Sequence, residues 1–286
     1  MKIFFKFLLL VALYFSAEKL IRTQTNGFRL EKIQSDFSSR PEWEIQNSKP
    51  LPDVLNQRFY FLDSGVQCYA FESEDHTTVL KVFKHYHLWP SSKILRALPL
   101  PNSLRKRCDA TISKREARID KIFQGAKIAC EDLSENTAVF YVNLNPTNQT
   151  LPPVEIYDKI GVRYTFDLNT TPFLLQRKAE LLLPYLDKHS DQAVEIIDAY
   201  FDCVLSRIKK GYTNEDSRIN RNIGISKGQV IEIDIGALVK NSPTSTDFYQ
   251  KREVFYEICQ FKEWASKNRP ELNDYLDQKL KQVIRA

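Results

Sequence analysis

Residues 216–236 read DSRINRNIGISKGQVIEIDIG. A turn signal at 226–228 separates two short apolar runs, which predicts a β-hairpin. The hairpin would place Asn222 where its first strand begins and Asp234 where its second strand ends, so the two side chains would lie side by side at its base. Two side-chain oxygens suit Mg²⁺, which completes its shell with phosphates and water. The sequence therefore predicts a magnesium site here.

Three short strand-like segments lie far upstream, at 58–62, 68–71 and 77–83, with turn residues between them. They predict an antiparallel meander. Lys81 interrupts the otherwise apolar third segment. It either faces solvent at an edge or needs an anion close by, because burying an unpaired ammonium group is costly.

Residues 103–127 predict a long helix with an apolar stripe at spacings of three and four. The members of that stripe are Leu104, Cys108, Ile112, Ile119, Phe123 and Ala126. Glu116 stands where the stripe would continue. It either pairs with Lys81 across a packed interface or merely flanks the stripe. The many basic residues on the other faces predict a solvated surface or, alternatively, one that meets an anionic lipid or partner.

The remaining elements follow in two groups. Strands are predicted at 137–143, 154–157 and 162–168, and helices at 173–186, 191–209, 246–268 and 271–285. Because strands come first and helices second, the order predicts an α+β fold. Both tail helices are expected to pack on the second part of the fold.

The composition excludes several classes of protein. The 286 residues are 43% hydrophobic and 27% charged, close to the values of globular domains, which excludes wholesale disorder, collagen and a multi-span membrane protein. The formal net charge of +5 is too small to predict a nucleic-acid partner.

The N-terminus predicts a targeting segment. Residues 3–17 are apolar apart from Lys6, so residues 1–20 are interpreted as a signal peptide or a membrane anchor, with a buried helix as the alternative. Basic residues on both sides fix no orientation. The polar residues 21–53 are interpreted as a stalk or linker. We therefore expect a secreted or membrane-anchored protein.

Taken in order, these motifs resemble those of the protein-kinase-like superfamily. The segment 62–71 resembles its glycine-rich loop, 79–81 its strand lysine motif, Glu116 its helix C glutamate, 216–222 its catalytic loop and 234–236 its Asp-Phe-Gly metal motif. The chain is also similar to uncharacterised kinase-like proteins of chlamydia-related bacteria.

The resemblance implies a two-lobed kinase-like fold across residues 54–286, preceded by an N-terminal hydrophobic helix. An antiparallel β N-lobe would span about 54–170, and a reduced helical C-lobe about 171–286. ATP and Mg²⁺ are the implied cofactors, and Gly65 would let the backbone approach the phosphates.

The resemblance also implies a role for each matching side chain. Lys81 would hold the α- and β-phosphates, and Glu116 would orient Lys81. Asn222 and Asp234 would bind metal, and Asp216 would position the acceptor hydroxyl. The acceptor of the γ-phosphoryl group would be a protein or a small molecule.

The chain departs from the family pattern in ways that keep three functions open. Asp63 and Cys68 stand at the first and third glycine positions of the loop, and Asn214-Glu215 replaces the His-Arg pair before Asp216. One function is an atypical ATP-dependent phosphotransferase. A second is a catalytically inactive kinase-like scaffold or binding module. A third is an exported α+β binding protein with no nucleotide site.

Overall fold

The computed structural model describes residues 2–33, 39–46, 53–84, 92–147, 151–240 and 247–285. The fold is α+β, and the chain divides into two compact units. The first unit comprises Met1–Glu44, Leu51–Arg115 and Asn143–Leu175, and the second comprises Ile45–Pro50, Glu116–Val142 and Gln176–Ala286. The division between 175 and 176 lies close to the predicted lobe boundary at 170/171, and it assigns 116–142 to the second unit.

The helices and strands of the described residues are as follows. The helices are α1 (Lys2–Gln24), α2 (Ser92–Ala97), α3 (Asn102–Glu131), α4 (Ser134–Thr137), α5 (Leu182–Lys188), α6 (Ala193–Lys209), α7 (Ile219–Asn222), α8 (Asp247–Asn268) and α9 (Asn273–Arg285). The strands are β1 (Phe59–Ser64), β2 (Cys68–Ser73), β3 (Thr78–Phe83), β4 (Val139–Asn143), β5 (Val154–Tyr157), β6 (Arg163–Phe166), β7 (Phe173–Arg177), β8 (Glu180–Leu181), β9 (Tyr212–Asn214), β10 (Ile223–Ser226), β11 (Gln229–Glu232) and β12 (Leu238–Lys240).

The N-terminal residues form the helix α1, and most of its large apolar side chains are exposed. Within the described ranges, no helix combines the length and the apolar character that crossing a membrane requires. The signal peptide or anchor over 1–20 therefore stays a prediction, as does the localisation that it implies.

Part of the predicted stalk is packed within the first unit. Phe28 is buried, and its ring meets that of Tyr69 edge to face with centroids 5.0 Å apart. The Tyr69 hydroxyl donates to the carbonyl of Gly27 at 2.7 Å. Ile33 and Trp43 are buried as well. The interpretation as a linker is therefore wrong for these residues. Burial of their apolar side chains lowers the free energy of the folded state relative to a linker exposed to water. Residues 34–38 and 47–52 of the predicted stalk lie outside the described residues.

The predicted meander is confirmed. β1 pairs antiparallel with β2, and β2 pairs antiparallel with β3. The strands predicted at 154–157 and 162–168 are present as β5 and β6, which pair antiparallel, and β5 joins β1 in parallel. Within the first unit the strands lie in the order β7-β3-β2-β1-β5-β6.

The predicted long helix is confirmed as α3, and its stripe is buried at Ile112, Ile119, Phe123 and Ala126. Leu104 is exposed, so the stripe begins later than predicted.

The helix predicted over 173–186 is wrong in its first half. Residues 173–177 form the strand β7, residues 180–181 form β8, and only 182–188 are helical. Four of the five β7 side chains are buried. A short apolar run of this kind fits a buried strand and a buried helix equally well by periodicity, so length and surroundings decide between them.

The second unit has a helical core. Apolar side chains from α5, α6, the β10–β11 hairpin and α8 form one buried cluster. Val254, Ile258 and Phe261 of α8 and Leu276 of α9 belong to it, which confirms that both tail helices pack on the second part of the fold.

Candidate functional site

The hairpin predicted within 216–236 is present in the second unit, where β10 and β11 pair antiparallel. Lys227 and Gly228 connect them with φ values of 52° and 79°. Positive φ at both central residues is what a two-residue type I′ turn requires, which explains the glycine.

The base of this hairpin carries the two candidate metal ligands. The N–H of Ile233 donates to the carbonyl of Asn222 at 2.7 Å, so Asn222 lies opposite the residue that precedes Asp234. Strand pairing alone therefore brings these parts of the chain together.

Hydrogen bonds hold Asn222 in place at the end of α7. Its side chain is buried, and its N–H donates to the carbonyl of Arg218 at 2.8 Å. Its Nδ2 donates to the carbonyl of Asp216. Because the amide nitrogen is engaged, Oδ1 is the atom that a metal would contact.

Asp234 follows β11 and is half-buried. Its Oδ1 accepts from the N–H of Gly236 at 3.2 Å, and its carbonyl accepts from Nδ2 of Asn214 at 3.3 Å. A turn closed by its own carboxylate thus fixes the direction of this side chain.

The carboxylate of Asp216 faces two arginines. Nε of Arg218 lies 2.9 Å from Oδ1, and Nη2 of Arg221 lies 3.4 Å from Oδ2. Both guanidinium groups are largely exposed, and exposed ion pairs of this kind contribute about 0–1 kcal/mol. A ligand able to bind the carboxylate could therefore displace either arginine.

The donor set at the hairpin base consists of oxygen atoms. In the part of the chain that the structure describes, no group of three or more His, Cys, Asp or Glu side chains could hold a metal ion. Asn222 and Asp234 supply an amide and a carboxylate, and Mg²⁺ usually binds one or two carboxylates together with substrate phosphates and water. These two ligands suit an Mg²⁺ ion that arrives bound to a nucleotide. They are too few for a site in which the protein alone supplies the ligands.

A buried ion network lies behind the site. Arg207 of α6 donates through Nε to Oε1 of Glu232 at 2.6 Å and through Nη2 to Oε1 of Glu257 at 2.7 Å. All three side chains are at most 3% exposed. Burial raises the pKa of Glu257 to about 7; Arg207 opposes that rise and Glu232 adds to it. Burial alone would lower the pKa of Arg207, but the two carboxylates outweigh it and raise that pKa.

A cavity of about 520 Å³ opens beside residues 213–217. Its lining side chains are Thr213, Asn214, Glu215, Ser217, Arg252, Glu253, Tyr256 and Glu257. Its carboxylates have cationic neighbours, for example Nζ of Lys121 at 2.5 Å from Oε2 of Glu215. Hydroxyl, amide and paired ionic groups suit a small polar molecule.

The first unit holds the other two predicted site residues. Lys81 is buried in β3, opposite Ala70 of β2, so the solvent-facing alternative is wrong. Gly65 is exposed in the turn between β1 and β2, and a Cβ there would meet only the carbonyl oxygen of Cys68, at 3.7 Å.

Lys84, which the sequence analysis missed, holds this turn. Its Nζ donates to Oγ of Ser64 at 2.8 Å and to the carbonyl of Gly65, and it lies 4.0 Å from the ring centroid of Tyr69. Burial lowers the pKa of Lys84 to about 8. The sequence feature that could have identified this residue is a second lysine directly after the apolar segment 77–83.

The predicted residues are distributed between the two units. Gly65 and Lys81 lie in the first unit, and Asp216, Asn222 and Asp234 lie in the second. Glu116 is half-buried on α3, also in the second. Hydrogen bonds connect the backbone of Asp216 to the side chain of Asn222 and, through Asn214, to the backbone of Asp234. The pairing of Lys81 with Glu116 stays a prediction.

Comparisons with known proteins give limited information. The sequence matches no protein-family model and no curated protein. It is similar to a co-crystal structure of WbdD and the kinase inhibitor LY294002, with 15% identity and a TM-score of 0.38 over 79% of this chain and 42% of that chain. It is also similar to a medium-resolution structure of the bifunctional kinase-methyltransferase WbdD, with 14% identity and a TM-score of 0.33 over 75% and 43%.

The chain thus spans about two fifths of the length of the solved chains that it resembles. Similarities of this size carry no argument about its activity. The resemblance to kinase-like proteins of chlamydia-related bacteria is not addressed by these comparisons and stays a prediction.

Proposed function

We propose that this protein is kinase-like and binds ATP with Mg²⁺, the metal being held by Asn222 and Asp234. The observation that carries the proposal is the hairpin base, where the backbone bond from Ile233 to Asn222 brings an amide and a carboxylate to one end of β10 and β11. When bound, the metal would neutralise charge on the phosphates, which is the main requirement of phosphoryl transfer.

The other site residues have in this proposal the roles that the resemblance implies for them. In the first unit, Lys81 and Gly65 take the phosphate-binding roles that the resemblance implies, and in the second unit Glu116 takes the role of the helix C glutamate. Asp216 accepts a hydrogen bond from the acceptor hydroxyl. The cavity lined by Ser217 and its neighbours receives an acceptor, which is a small polar molecule or a polar side chain of a protein.

A second candidate function is a catalytically silent nucleotide-binding module. One observation favours it: both carboxylate oxygens of Asp216 face arginines, so an acceptor hydroxyl would first have to displace one of them. In that case the hairpin base still binds Mg²⁺ and ATP, but no phosphoryl group is transferred.

The test is thermal unfolding of the full chain with and without ATP and Mg²⁺. At about 100 times its dissociation constant, a ligand specific for the native state adds about 2.7 kcal/mol of stability. Asp234→Ala should abolish that gain. Asp187→Ala, a change at an exposed carboxylate of α5, should keep it. The absence of any gain in the unchanged chain would contradict the proposal.

Transfer of labelled γ-phosphate then separates the two candidates. Measurable hydrolysis or transfer that disappears in Asp216→Asn identifies the phosphotransferase. Binding without transfer identifies the silent module.

A further inference from the structure

One side-chain amide connects the two loops that carry the acidic site residues. Nδ2 of Asn214 donates to Oε2 of Glu232 at 2.7 Å and lies 3.3 Å from the carbonyl oxygen of Asp234. Oδ1 of Asn214 accepts from the N–H of Asp216 at 3.1 Å. Asn214 is buried, so these contacts replace water rather than compete with it.

Glu232 and the backbone N–H of Asp216 together determine which way this amide points. The N–H of Asp216 can only donate, and the Glu232 oxygen accepts, so Asn214 turns its oxygen toward Asp216 and its NH₂ group toward Glu232. Glu232 is itself fixed by the bond from Nε of Arg207, and Arg207 also donates to Glu257 and, at 3.2 Å, to the carbonyl of Tyr212.

We propose that Asn214 and Glu232 are positioning residues that set the placement of Asp216 relative to Asp234. The proposal deepens the proposed function and rests on it for its nucleotide readout. Neither side chain needs to touch substrate or metal: Glu232 orients Asn214, and Asn214 holds backbone atoms of both loops.

A purely structural role explains this arrangement less well. Replacing a buried ion network by apolar residues is often neutral or stabilising, so stability alone does not require one. Here the network extends through one amide to backbone groups of Asp216 and Asp234. A small error in the placement of a catalytic group lowers the reaction rate strongly. A connection that fixes the placement of both loops would therefore support catalysis.

The test reverses the polarity of one hydrogen bond. Asn214→Asp alone places two carboxylates face to face, and Glu232→Gln, with its oxygen kept on Arg207, places two NH₂ groups face to face. The double variant restores a single donor and a single acceptor. Asn102→Asp on α3 and Glu195→Gln on α6 make the same chemical changes at exposed positions and serve as controls.

Two quantities are measured for each variant. One is the dissociation constant of Mg·ATP, and the other is amide hydrogen exchange in peptides covering 214–218 and 233–238, with the β5–β6 hairpin of the first unit as the internal reference. We expect each single variant to weaken Mg·ATP binding about tenfold or more, since a buried polar group is left unsatisfied. Both loops should exchange faster. The double variant should recover most of the loss in 214–218. It should recover less in 233–238 and in binding, because an aspartate at position 214 cannot donate to the carbonyl of Asp234.

Unchanged binding and unchanged loop exchange in the single variants would overturn the proposal, even where the melting temperature falls. Failure of the unchanged chain to bind Mg·ATP would contradict the proposed function only, and loop exchange would then decide the positioning role by itself. If a single variant does not fold, Asn214→Ala replaces it, because this change introduces no charge. We expect faster exchange in both loops of Asn214→Ala, and unchanged exchange in these loops would overturn the proposal.

Discussion

A Cβ atom on Gly125 would lie 2.5 Å from the carbonyl oxygen of Ile235. The backbone of α3 therefore touches the segment that follows Asp234 directly, with Gly236 also within 3.4 Å of the hypothetical Cβ. Glycine is unfavourable in the middle of a helix, so the close approach explains why it stands there. Two parts of the second unit that are far apart in sequence are held together at this contact.

Gly125→Ala should destabilise the protein by about 1–3 kcal/mol, because the added methyl group meets backbone that must move. At an exposed helical position the same change would stabilise by about 1 kcal/mol, so the sign is informative. Urea unfolding of the variant measures it, with Gln124→Ala on the exposed face as the control. A gain in stability from Gly125→Ala would show that the helix does not lie this close to Ile235.

Arg207→Met should cost about 3–5 kcal/mol, because it leaves Glu232 and Glu257 buried without their cation. Arg118→Met removes an exposed arginine from α3 and should change stability by less than about 0.5 kcal/mol. Denaturant unfolding of the two variants compares them. A loss from Arg207→Met no larger than that of the control would mean that water reaches the network.

Glu257 should make stability depend on pH. Its pKa is about 7 in the folded protein against an ordinary value of 4.5. Between these values the folded state keeps a proton that the unfolded state has released, so the free energy of unfolding should fall as pH rises from about 4.5 to about 7. The contribution is fully present below pH 4.5 and lost above pH 7.

Urea titrations from pH 4.5 to 8 check this prediction through the difference between the unchanged protein and Glu257→Gln. The free energy of unfolding of the unchanged protein minus that of Glu257→Gln should fall as pH rises, by up to about 1 kcal/mol per pH unit. Glu263→Gln, at an exposed position on the same helix, provides the comparison. A difference that stays constant or increases with pH would place Glu257 in a different environment.

Lys84→Met should loosen the turn between β1 and β2. The change removes the hydrogen bonds to Ser64 and Gly65 and the cation above the Tyr69 ring, a loss of about 1 kcal/mol. Hydrogen exchange in a peptide covering 61–67 should become faster. Lys114→Met, on the exposed face of α3, should leave that peptide unchanged. Equal exchange in both variants would mean that the turn is stable without the lysine.

Local signals predicted much of the fold. The turn residues Lys227 and Gly228, the alternation in the meander and the spacing in α3 each define an element without help from the rest of the chain. They predicted β1, β2, β3 and the β10–β11 hairpin because period and turn chemistry agree there. The hairpin also placed Asn222 opposite the residue before Asp234, which follows from register alone.

Other features depend on distant packing. The run 173–177 satisfies both helix and strand patterns until its neighbours are known. Phe28 stands among polar residues in the sequence, and only the folded structure shows that its ring packs against Tyr69. Arg207 interrupts the apolar face of α6 just as Lys81 interrupts β3, so the same reasoning applied to it would have predicted a buried cation. Its partners, Glu232 and Glu257, are 25 and 50 residues away and could not be identified from spacing.

Calorimetric titration of the full chain with ATP, in the presence and absence of Mg²⁺, tests the magnesium–nucleotide site at the hairpin base most directly. We predict saturable binding that requires Mg²⁺ and is lost in Asp234→Asn, which keeps the size of the side chain and removes its charge. No binding by the unchanged chain, or equal binding with Asp234→Asn or without Mg²⁺, would contradict the account.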